Sequence, residues 1–423
     1  MKILIIGASA AGTAAIESIR RYDQESSIVQ LSDERHQLYS RCLLSYYLSD
    51  SIPREGLQYR DPGFHSQMRV ELHEGTRAVH LDTDRQCVTC DDGSVHEFDK
   101  LLIATGSLAK FPAYIPQGME GVNVLRTLDD VEMIRTNVRR ARRAVVLGGG
   151  LIGMKAAVAL NECGLVTSVV VRSSRVLSQM IDQEASHFVT ERLGASSIEV
   201  FFKTDITEVE SRGNTLEAVR TDSGQRIPCE LLVVAKGVQP NTDLIADTDI
   251  RKRWGIETNA HMQTSRENIY AAGDVAETFD ITTGRHAVSA LWTCAVQQGH
   301  LAGLNMIGRG KAYDGAVLMN SLSIGGIPLI SYGVTNPPEG EGYQVITREQ
   351  GRAGVYKKIV LKEHRIRGII LLGRIDNAGV LLSLIQRRED VSSFEDRLVS
   401  DQFGYGTLVG SVGAPDLARY HNP

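Results

Sequence analysis

The chain has 423 residues, of which 42% are hydrophobic, and a formal net charge of −5. This length is more than one ordinary core needs and predicts two or three domains, and the composition is that of a globular protein. The small negative charge argues against a general affinity for nucleic acid or acidic membranes. No apolar run reaches the roughly 18 residues that span a bilayer, so membrane insertion is not expected.

Cysteine usage bears on the compartment and on metal binding. The six cysteines are spread along the chain, which favours a reducing, cytoplasmic location over a disulfide scaffold. Only Cys87 and Cys90 have metal-like spacing, and no second pair completes a zinc or iron–sulfur site. The sequence therefore predicts no bound metal.

The strongest feature is a repeated unit of strand, glycine-rich turn and helix. In the first copy a buried strand over residues 3–6 leads into Gly7–Gly12, and in the second an equivalent strand leads into Gly148–Gly153. A second apolar strand follows in each copy, at residues 28–31 and 168–171, so each copy opens a βαβ unit. The predicted fold class is α/β, with two Rossmann-like dinucleotide-binding domains.

Both glycine-rich turns are candidate pyrophosphate sites. Such a turn lets backbone N–H groups reach the phosphates, and the N-terminus of the following helix adds partial positive charge. One such turn is also common in α/β proteins without a nucleotide, but two copies in the same context favour dinucleotide binding. The second turn keeps all three glycines of the pattern, whereas the first has serine at the middle position. The candidate binding residues are Gly7, Ser9, Ala10, Ala11 and Gly12, and Gly148, Gly150, Leu151, Ile152 and Gly153.

The residues after the second strand of each unit predict nucleotide preference. An acid there binds an adenosine ribose, and Asp33 and Glu34 occupy this place in the first unit. In the second unit Val171 replaces the acid and Arg172 follows, so a 2′-phosphate would meet a cation instead of a carboxylate. With Arg175 close by, we expect NADPH to be tolerated. The alternative for these acids and for Arg172 is an ordinary solvated surface charge.

With these two units in place, the sequence resembles the FAD-dependent pyridine nucleotide-disulfide oxidoreductases, whose first unit binds FAD and whose second binds NAD(P)H. Ala104-Thr105-Gly106 looks like the motif that closes the FAD site. Ala272-Gly273-Asp274 looks like the motif whose aspartate holds the ribityl chain, and Gly237-Val238-Gln239-Pro240-Asn241 looks like the GxxPN turn between domains. The resemblance covers nearly the whole chain.

The resemblance implies a three-part organisation. An FAD-binding domain would comprise residues 1–112 and 240–312, and an NAD(P)H-binding domain would be inserted at residues 113–239. A C-terminal α+β domain would occupy residues 313–423, where apolar runs such as 366–372 predict antiparallel strands.

Within the family, Tyr39-Ser40-Arg41 and the C-terminal pattern are similar to rubredoxin reductases and to the flavin domain of NAD(P)H nitrite reductase. That match implies that Arg41 contacts FAD, that Ala78 lines the FAD site and that Trp292 lies near the isoalloxazine ring, with core packing as the alternative for Trp292. It also implies the leading function. A hydride passes from NAD(P)H to FAD, and electrons pass on to a small iron–sulfur protein of the ferredoxin or rubredoxin type. A homodimer is one option for the assembly.

Cys42 supports a different function. It lies in a stretch spaced like the redox-cysteine segment of the single-cysteine reductases, which include coenzyme A-disulfide reductase, NADH oxidase and NADH peroxidase. Near a helix N-terminus and beside Arg41, its pKa could be lowered so that it reacts as a thiolate. The enzyme would then act on a small disulfide, a peroxide or oxygen, whereas the other role for this thiol is packing beside the flavin. A third option is a redox-sensing or scaffold flavoprotein without enzymatic activity.

Lys155 departs from the family pattern, which usually has glutamate two residues after the last glycine of the second turn. As a cation close to the flavin, Lys155 could favour the anionic reduced flavin or orient the nicotinamide. The alternative is a lysine that faces solvent or pairs with an acid. Cys42 and Lys155 are therefore the candidate catalytic residues.

Overall fold

The structure is a computed structural model that describes residues 1–36, 38–350 and 354–411. Its strands are β1 (Lys2–Ile6), β2 (Ser27–Ser32), β3 (Val70–Glu74), β4 (Ala78–Asp82), β5 (Cys87–Cys90), β6 (Val95–Glu97), β7 (Lys100–Ile103), β8 (Ser107–Ala109), β9 (Val122–Val124), β10 (Arg143–Leu147), β11 (Val166–Val171), β12 (Glu199–Phe202), β13 (Ile206–Arg212), β14 (Thr215–Thr221), β15 (Arg226–Pro228), β16 (Leu231–Val234), β17 (Val238–Pro240), β18 (Ile256–Glu257), β19 (Ile269–Ala271), β20 (Ala276–Asp280), β21 (Arg285–Val288), β22 (Met319–Ile324), β23 (Ile327–Gly333), β24 (Gln344–Gln350), β25 (Val355–Lys362) and β26 (Arg365–Leu372).

The helices are α1 (Ala10–Tyr22), α2 (Leu44–Leu48), α3 (Phe64–Gln67), α4 (Leu128–Val138), α5 (Leu151–Glu162), α6 (Gln183–Ala195), α7 (Trp292–Met306), α8 (Ala378–Arg387) and α9 (Tyr405–Ser411). Within the described ranges, none of these helices combines the length and the apolar character that a membrane span requires.

The first sheet is parallel and has the strand order β19-β7-β1-β2-β3. In its central strand β1, Ile3 and Ile5 belong to the core shared with helices α1 and α7. Leu4 and Ile6 belong to the core on the opposite face, which includes side chains of β4 and β5. Because both faces are covered, the strand is a continuous apolar run rather than an alternating one.

Helices α1 and α7 approach each other closely because glycine lies at the contact. A Cβ at Gly299 would lie 2.1 Å from the carbonyl oxygen of Ala11, and one at Gly303 would lie 2.5 Å from that of Ala15. A Cβ at Gly273 would lie 3.3 Å from the Ala11 side chain. The packing therefore brings Gly273 and the start of α7 to the first glycine-rich turn.

The second sheet is also parallel, with the order β12-β11-β10-β16-β9. Its strands β12, β11 and β10 correspond to β3, β2 and β1 of the first sheet, and β16 corresponds to β7. The two βαβ units expected from the sequence repeat are thus the centres of two sheets, which confirms the predicted α/β class with two Rossmann-like units.

A short antiparallel pair connects the two sheets. Strand β8 leaves the first sheet and β17 returns towards it, with Ser107 opposite Pro240 and Ala109 opposite Val238. The backbone N–H of Asn241 also donates to the Gly106 carbonyl at 2.9 Å. The two chain segments that connect the sheets are therefore held side by side.

The C-terminal sheet is antiparallel, with the order β22-β23-β26-β25-β24, as the sequence predicted. Two adjacent buried lysines of β25 face opposite sides of it. Lys358 lies 2.9 Å from Asp182, the N-cap of α6, and Lys357 lies 2.9 Å from Asp401. Tyr356 also donates to Asp182 at 2.6 Å. Breaking a buried pair of this kind costs about 3–5 kcal/mol, so the contacts of Lys358 and Tyr356 with Asp182 hold the C-terminal sheet against α6.

Candidate active site

The first glycine-rich turn is shaped by close backbone contacts. Gly7 has a φ of +114°, and a Cβ there would lie 2.2 Å from the Ala104 carbonyl oxygen. A Cβ at Gly12 would lie 2.1 Å from the Gly7 carbonyl oxygen. Ser9 is the N-cap of α1, and within the described residues its side chain makes no capping hydrogen bond. The first-turn N–H groups of α1, at Ala10 and Ala11, thus suit an anion such as a pyrophosphate.

The two candidate ribose-binding acids differ in their surroundings. Asp33 is exposed, whereas Glu34 is half-buried. The Glu34 carboxylate pairs with the Arg41 guanidinium and accepts a hydrogen bond from the Tyr39 hydroxyl. Arg41 also donates to the Arg126 carbonyl at 3.0 Å. The structure therefore joins Arg41 to Glu34, a contact that sequence reasoning did not identify.

Ala78 lies near these acids because the chain after β3 turns back towards β2. The N–H of Thr76 donates to the Ser32 carbonyl at 2.8 Å, and the N–H of Gly75 donates to the Glu34 carbonyl at 3.2 Å. Ala78 then begins β4 and packs against the core below the first sheet. The candidate FAD-binding residues Glu34 and Ala78 are thus close together.

The opposite end of this site is formed by the two motifs that the resemblance pointed to. Asp274 Oδ2 accepts hydrogen bonds from the Ser107 hydroxyl at 2.7 Å and from Arg126 at 3.2 Å. The Gly273 N–H donates to the Gln298 side chain at 2.9 Å. The Thr105 hydroxyl donates to the Asn241 carbonyl at 2.7 Å, which links the motif ending at Gly106 to the GxxPN turn. Ser107, Arg126 and Gln298 were not predicted as site residues.

Aromatic and hydroxyl groups line the side next to α7. Trp292 is the first residue of α7 and makes an edge-to-face contact with Tyr59, with ring centroids 5.1 Å apart. The Tyr59 hydroxyl donates to Thr13 of α1 at 2.7 Å. Ser289 is 1% exposed, and its hydroxyl has no hydrogen-bond partner among the described residues. The open N-terminus of α1 and the half-buried Asp274 carboxylate fit a bound, polar cofactor such as FAD.

The second glycine-rich turn repeats the geometry of the first. Gly148 has a φ of +129°, and a Cβ there would lie 2.2 Å from the Ala235 carbonyl oxygen. A Cβ at Gly153 would lie 2.0 Å from the Gly148 carbonyl oxygen. Gly150 is the N-cap of α5, where Leu151 is half-buried and Ile152 is 45% exposed. This turn therefore also offers N–H groups to a pyrophosphate, which fits NAD(P)H.

Sequence reasoning missed the neighbouring Gly149. A Cβ at Gly149 would lie 2.8 Å from the Val171 methyl groups, so this glycine lets the buried strand end approach the turn. The run of three consecutive glycines was the available signal.

Two arginines near the second strand end differ in their surroundings. Arg172 is exposed, but Arg175 is half-buried and donates to the Ser178 carbonyl and to Asn336, both at 3.2 Å. Arg175 therefore links the second sheet to the C-terminal region. Both of its partners are neutral and leave its positive charge in place, so the expected tolerance of NADPH stays a prediction.

Gly237 lies at the connection between the sheets, away from this strand end. It has a φ of +89°, and its carbonyl accepts a hydrogen bond from the Lys110 N–H at 2.9 Å.

Cys42 and Lys155 are brought together from different parts of the chain. Cys42 lies in a short turn of 3₁₀ helix, residues 41–43, that precedes α2, and its side chain is exposed. Desolvation by the surrounding protein raises the pKa of the Cys42 thiol. The nearby Lys155 ammonium and the Ser40 hydroxyl lower this pKa, but their effect is smaller. The lowered pKa expected from the sequence is therefore not found. All six cysteines fall within the described residues and are unpaired thiols.

Lys155 is half-buried on α5, and its Nζ lies 5.3 Å from the ring centroid of Tyr46. Burial lowers the pKa of Lys155, and the nearby Cys42 thiol raises it by less. No carboxylate of the described ranges lies within ion-pair distance of Lys155. The lysine is thus neither a solvated surface residue nor half of an ion pair, but a cation stacked on an aromatic ring.

Comparisons with known proteins agree with this geometry. The family profile for pyridine nucleotide-disulphide oxidoreductases matches residues 1–299, and that for the rubredoxin NAD+ reductase C-terminal domain matches residues 319–389. Subunit epsilon of the NADH-dependent phenylglyoxylate dehydrogenase of Aromatoleum evansii is 31% identical, with 97% of each chain covered. The NAD(P)H nitrite reductase of Bacillus subtilis is 29% identical over 92% of this chain, which spans only 48% of that protein.

Among solved structures, the ferredoxin reductase of the CYP199A2 system from Rhodopseudomonas palustris has a TM-score of 0.81 and 27% identity. The match covers 88% of this chain and 91% of that protein. The chain therefore belongs to the pyridine nucleotide-disulphide oxidoreductase family, and it is an FAD-dependent NAD(P)H oxidoreductase.

Proposed function

We propose that this enzyme passes electrons from NAD(P)H through FAD to an iron–sulfur protein of the ferredoxin or rubredoxin type. The observation that carries the proposal is the match of residues 319–389 to the C-terminal domain of rubredoxin reductases. The likeness to a ferredoxin reductase along most of the chain supports it. The full-length likeness to one subunit of an NADH-dependent dehydrogenase is consistent with a partner that is part of a larger enzyme.

The proposed domains follow the sheets. Residues 1–112 and 240–312 would bind FAD, and residues 113–239 would bind NAD(P)H. Strands β8 and β17 connect these two domains. Residues 313–423 would form the C-terminal α+β domain, of which residues after 411 lie outside the described part. The cytoplasmic location and the homodimer remain predictions.

The roles proposed for the first site follow from its two ends. The turn at residues 7–12 would hold the FAD pyrophosphate, and Glu34 or Asp33 would bind the adenosine ribose. Asp274 would accept a hydrogen bond from the ribityl chain, which its Oδ1 can do while Oδ2 binds Ser107 and Arg126. Bound FAD supplies the chemistry: it accepts a hydride and can release electrons singly, which suits a one-electron partner.

Trp292 would lie against the isoalloxazine ring on the side where electrons leave. The edge-to-face contact with Tyr59 holds its ring, and the hydrogen bond from Tyr59 to Thr13 ties that pair to α1. Lys155 would lie at the side where the nicotinamide enters, because it is on the helix that follows the second glycine-rich turn.

The test is anaerobic reduction of the purified flavoprotein by NADH or NADPH, followed by a stopped-flow screen of acceptors. Reoxidation by a rubredoxin or a [2Fe–2S] ferredoxin much faster than by disulfides, peroxide or oxygen is the expected result. Rapid reoxidation by a small disulfide or peroxide, with none by the iron–sulfur proteins, would contradict the proposal.

A second candidate function is reduction of a small disulfide, peroxide or oxygen through Cys42. The observation in its favour is that the accessible thiol lies beside the Lys155 ammonium, which can stabilise a thiolate. Against it, the pKa of Cys42 is raised overall, so that the neutral thiol prevails near pH 7. The iron–sulfur partner therefore remains the leading proposal.

A further inference from the structure

A cleft of about 250 Å³ adjoins Lys155. Three parts of the chain form its walls. They are α2 with the turn that follows it, the face of α5 from Met154 to Glu162 together with the end of α6, and the hairpin turn between β22 and β23. The cleft therefore lies where the two dinucleotide-binding units and the C-terminal sheet meet.

This cleft is separate from both dinucleotide sites. Among the described residues that line it, none belongs to residues 7–12, to residues 148–153 or to the strand ends that follow them. Its wall on α5 extends about 12 Å from Met154 towards the C-terminus of the helix, at 1.5 Å per residue. The wall begins next to Gly153 of the second turn and runs away from the place proposed for the NAD(P)H pyrophosphate. Of the described residues that line the cleft, Lys155 is the one that the sequence analysis names as a candidate catalytic residue.

The lining combines one cation, several hydroxyls and an apolar wall. Lys155 has the Tyr46 ring on one side, and an ammonium group keeps further N–H donors for a ligand. Serine hydroxyls come from α2, α6 and β22, and Val158 and Ile324 supply apolar surface. One acid, Glu162, also lines the cleft, but it lies at the far end and is exposed, so solvent screens it. A half-buried cation without an ion-pair partner is stabilised by an anion.

We propose that this cleft binds a small organic carboxylate, with the carboxylate on Lys155 and the apolar body between α5 and the β22–β23 hairpin. Such a ligand touches all three walls of the cleft. The proposed function places Lys155 beside the flavin, so the bound carboxylate changes the charge there and is detected in the flavin spectrum; this readout rests on that proposed placement. This site is additional to the electron-transfer function and does not depend on the identity of the acceptor.

The experiment titrates the FAD-loaded enzyme with benzoate and with its neutral isostere benzamide, and follows the flavin difference spectrum and the thermal midpoint. Benzoate should give a saturable response and benzamide should not. Lys155→Met should weaken benzoate binding by at least about tenfold, equivalent to about 1.4 kcal/mol. Equal responses to the two compounds, or none to benzoate in the millimolar range, would overturn the proposal.

A matched pair of hairpin variants separates the cleft from the flavin chemistry of Lys155. Ser323 lines the cleft, whereas Ser321, also exposed and on the same strand, does not. Ser323→Phe should abolish benzoate binding and leave reduction of the flavin by NAD(P)H unchanged, and Ser321→Phe should affect neither. Full benzoate binding by Ser323→Phe would show that the response arises elsewhere.

Discussion

The two glycine-rich turns have nearly the same backbone geometry but different neighbours. A Cβ at Gly7 or at Gly148 would lie 2.2 Å from a carbonyl oxygen of the adjacent strand end, at Ala104 or Ala235. The middle position is the one at which the turns differ. A Cβ at Gly150 would meet no protein atom within 4 Å, which explains why the first turn can hold Ser9 there. The first and last glycines serve the fold, and the middle one concerns only the ligand.

The strand ends beside the turns are where the two units diverge. In the first unit, Glu34 is oriented by Arg41 and Tyr39. In the second, Val171 is buried against Gly149, and the adjacent Arg172 is exposed. The comparison teaches that the two turns share one backbone geometry while their strand ends differ. We therefore expect the turns to bind pyrophosphates alike and the strand ends to decide which nucleotide is preferred.

The largest loss of nucleotide function is expected when a glycine that packs against a backbone carbonyl is replaced. Gly148→Ala should slow flavin reduction by NAD(P)H more than about a hundredfold, equivalent to about 2.7 kcal/mol, while FAD stays bound. Gly7→Ala should instead prevent FAD binding. The reason at both sites is a Cβ at 2.2 Å from backbone oxygen combined with a positive φ. Stopped-flow absorbance and the flavin-to-protein ratio measure these outcomes.

Gly164→Ala is the matched control for those variants. Gly164 has a φ of +87°, but a Cβ there would meet nothing within 4 Å. Its substitution should cost about 1–2 kcal/mol of folding stability, because a residue with a Cβ is strained at positive φ, and it should keep both nucleotide functions. A loss of hydride transfer in Gly164→Ala equal to that in Gly148→Ala would mean that backbone strain, and not the contact at the turn, causes the defect.

A smaller loss of FAD affinity is expected when the acids at the first strand end are replaced. Glu34→Gln should weaken FAD binding by about tenfold or more, because it removes the charge that orients Arg41 and a hydrogen-bond acceptor for the ribose. Asp33→Asn should change the affinity by less than about threefold, since Asp33 is exposed. Fluorescence titration of the apoprotein with FAD measures both. The opposite order would assign ribose binding to Asp33.

The second strand end should control the choice between NADH and NADPH. Val171→Glu should shift the ratio of kcat/KM values towards NADH by about tenfold, because it restores a carboxylate that repels a 2′-phosphate. Since Val171 is buried, Arg172→Met is the second variant, and it should lower kcat/KM for NADPH several-fold and leave NADH unchanged. A wild-type preference for NADH above about a hundredfold would contradict the expected tolerance of NADPH.

The smallest effect is expected for Cys42→Ser. With the pKa of the thiol raised, Cys42 is mostly protonated at neutral pH, and its replacement should leave flavin and dye reduction within about twofold of wild type. Steady-state rates with a dye and with the iron–sulfur acceptor check this. A variant whose flavin is reduced normally but which fails with the physiological acceptor would establish the thiol function instead.

Much of the fold could be predicted from local patterns. The continuous apolar strands, the glycine-rich turns and the C-terminal runs each depend on neighbours within one supersecondary unit, and they appear where expected. The site was harder to predict, because its side chains find partners far away in sequence. Arg175 binds Asn336, and Asp274 binds Ser107 and Arg126.

The sequence by itself determined the two glycine-rich turns, since a glycine is required wherever backbone must lie against backbone between a strand and its helix. Only the tertiary structure decided the state of Cys42 and Lys155. The sequence context of Cys42 suggested a reactive thiolate, yet the protein packed around it raises its pKa. Lys155 faces Tyr46, which is more than a hundred positions away in the chain. Ionisation depends on the charge and polarity of everything nearby, and only the assembled fold brings those groups together.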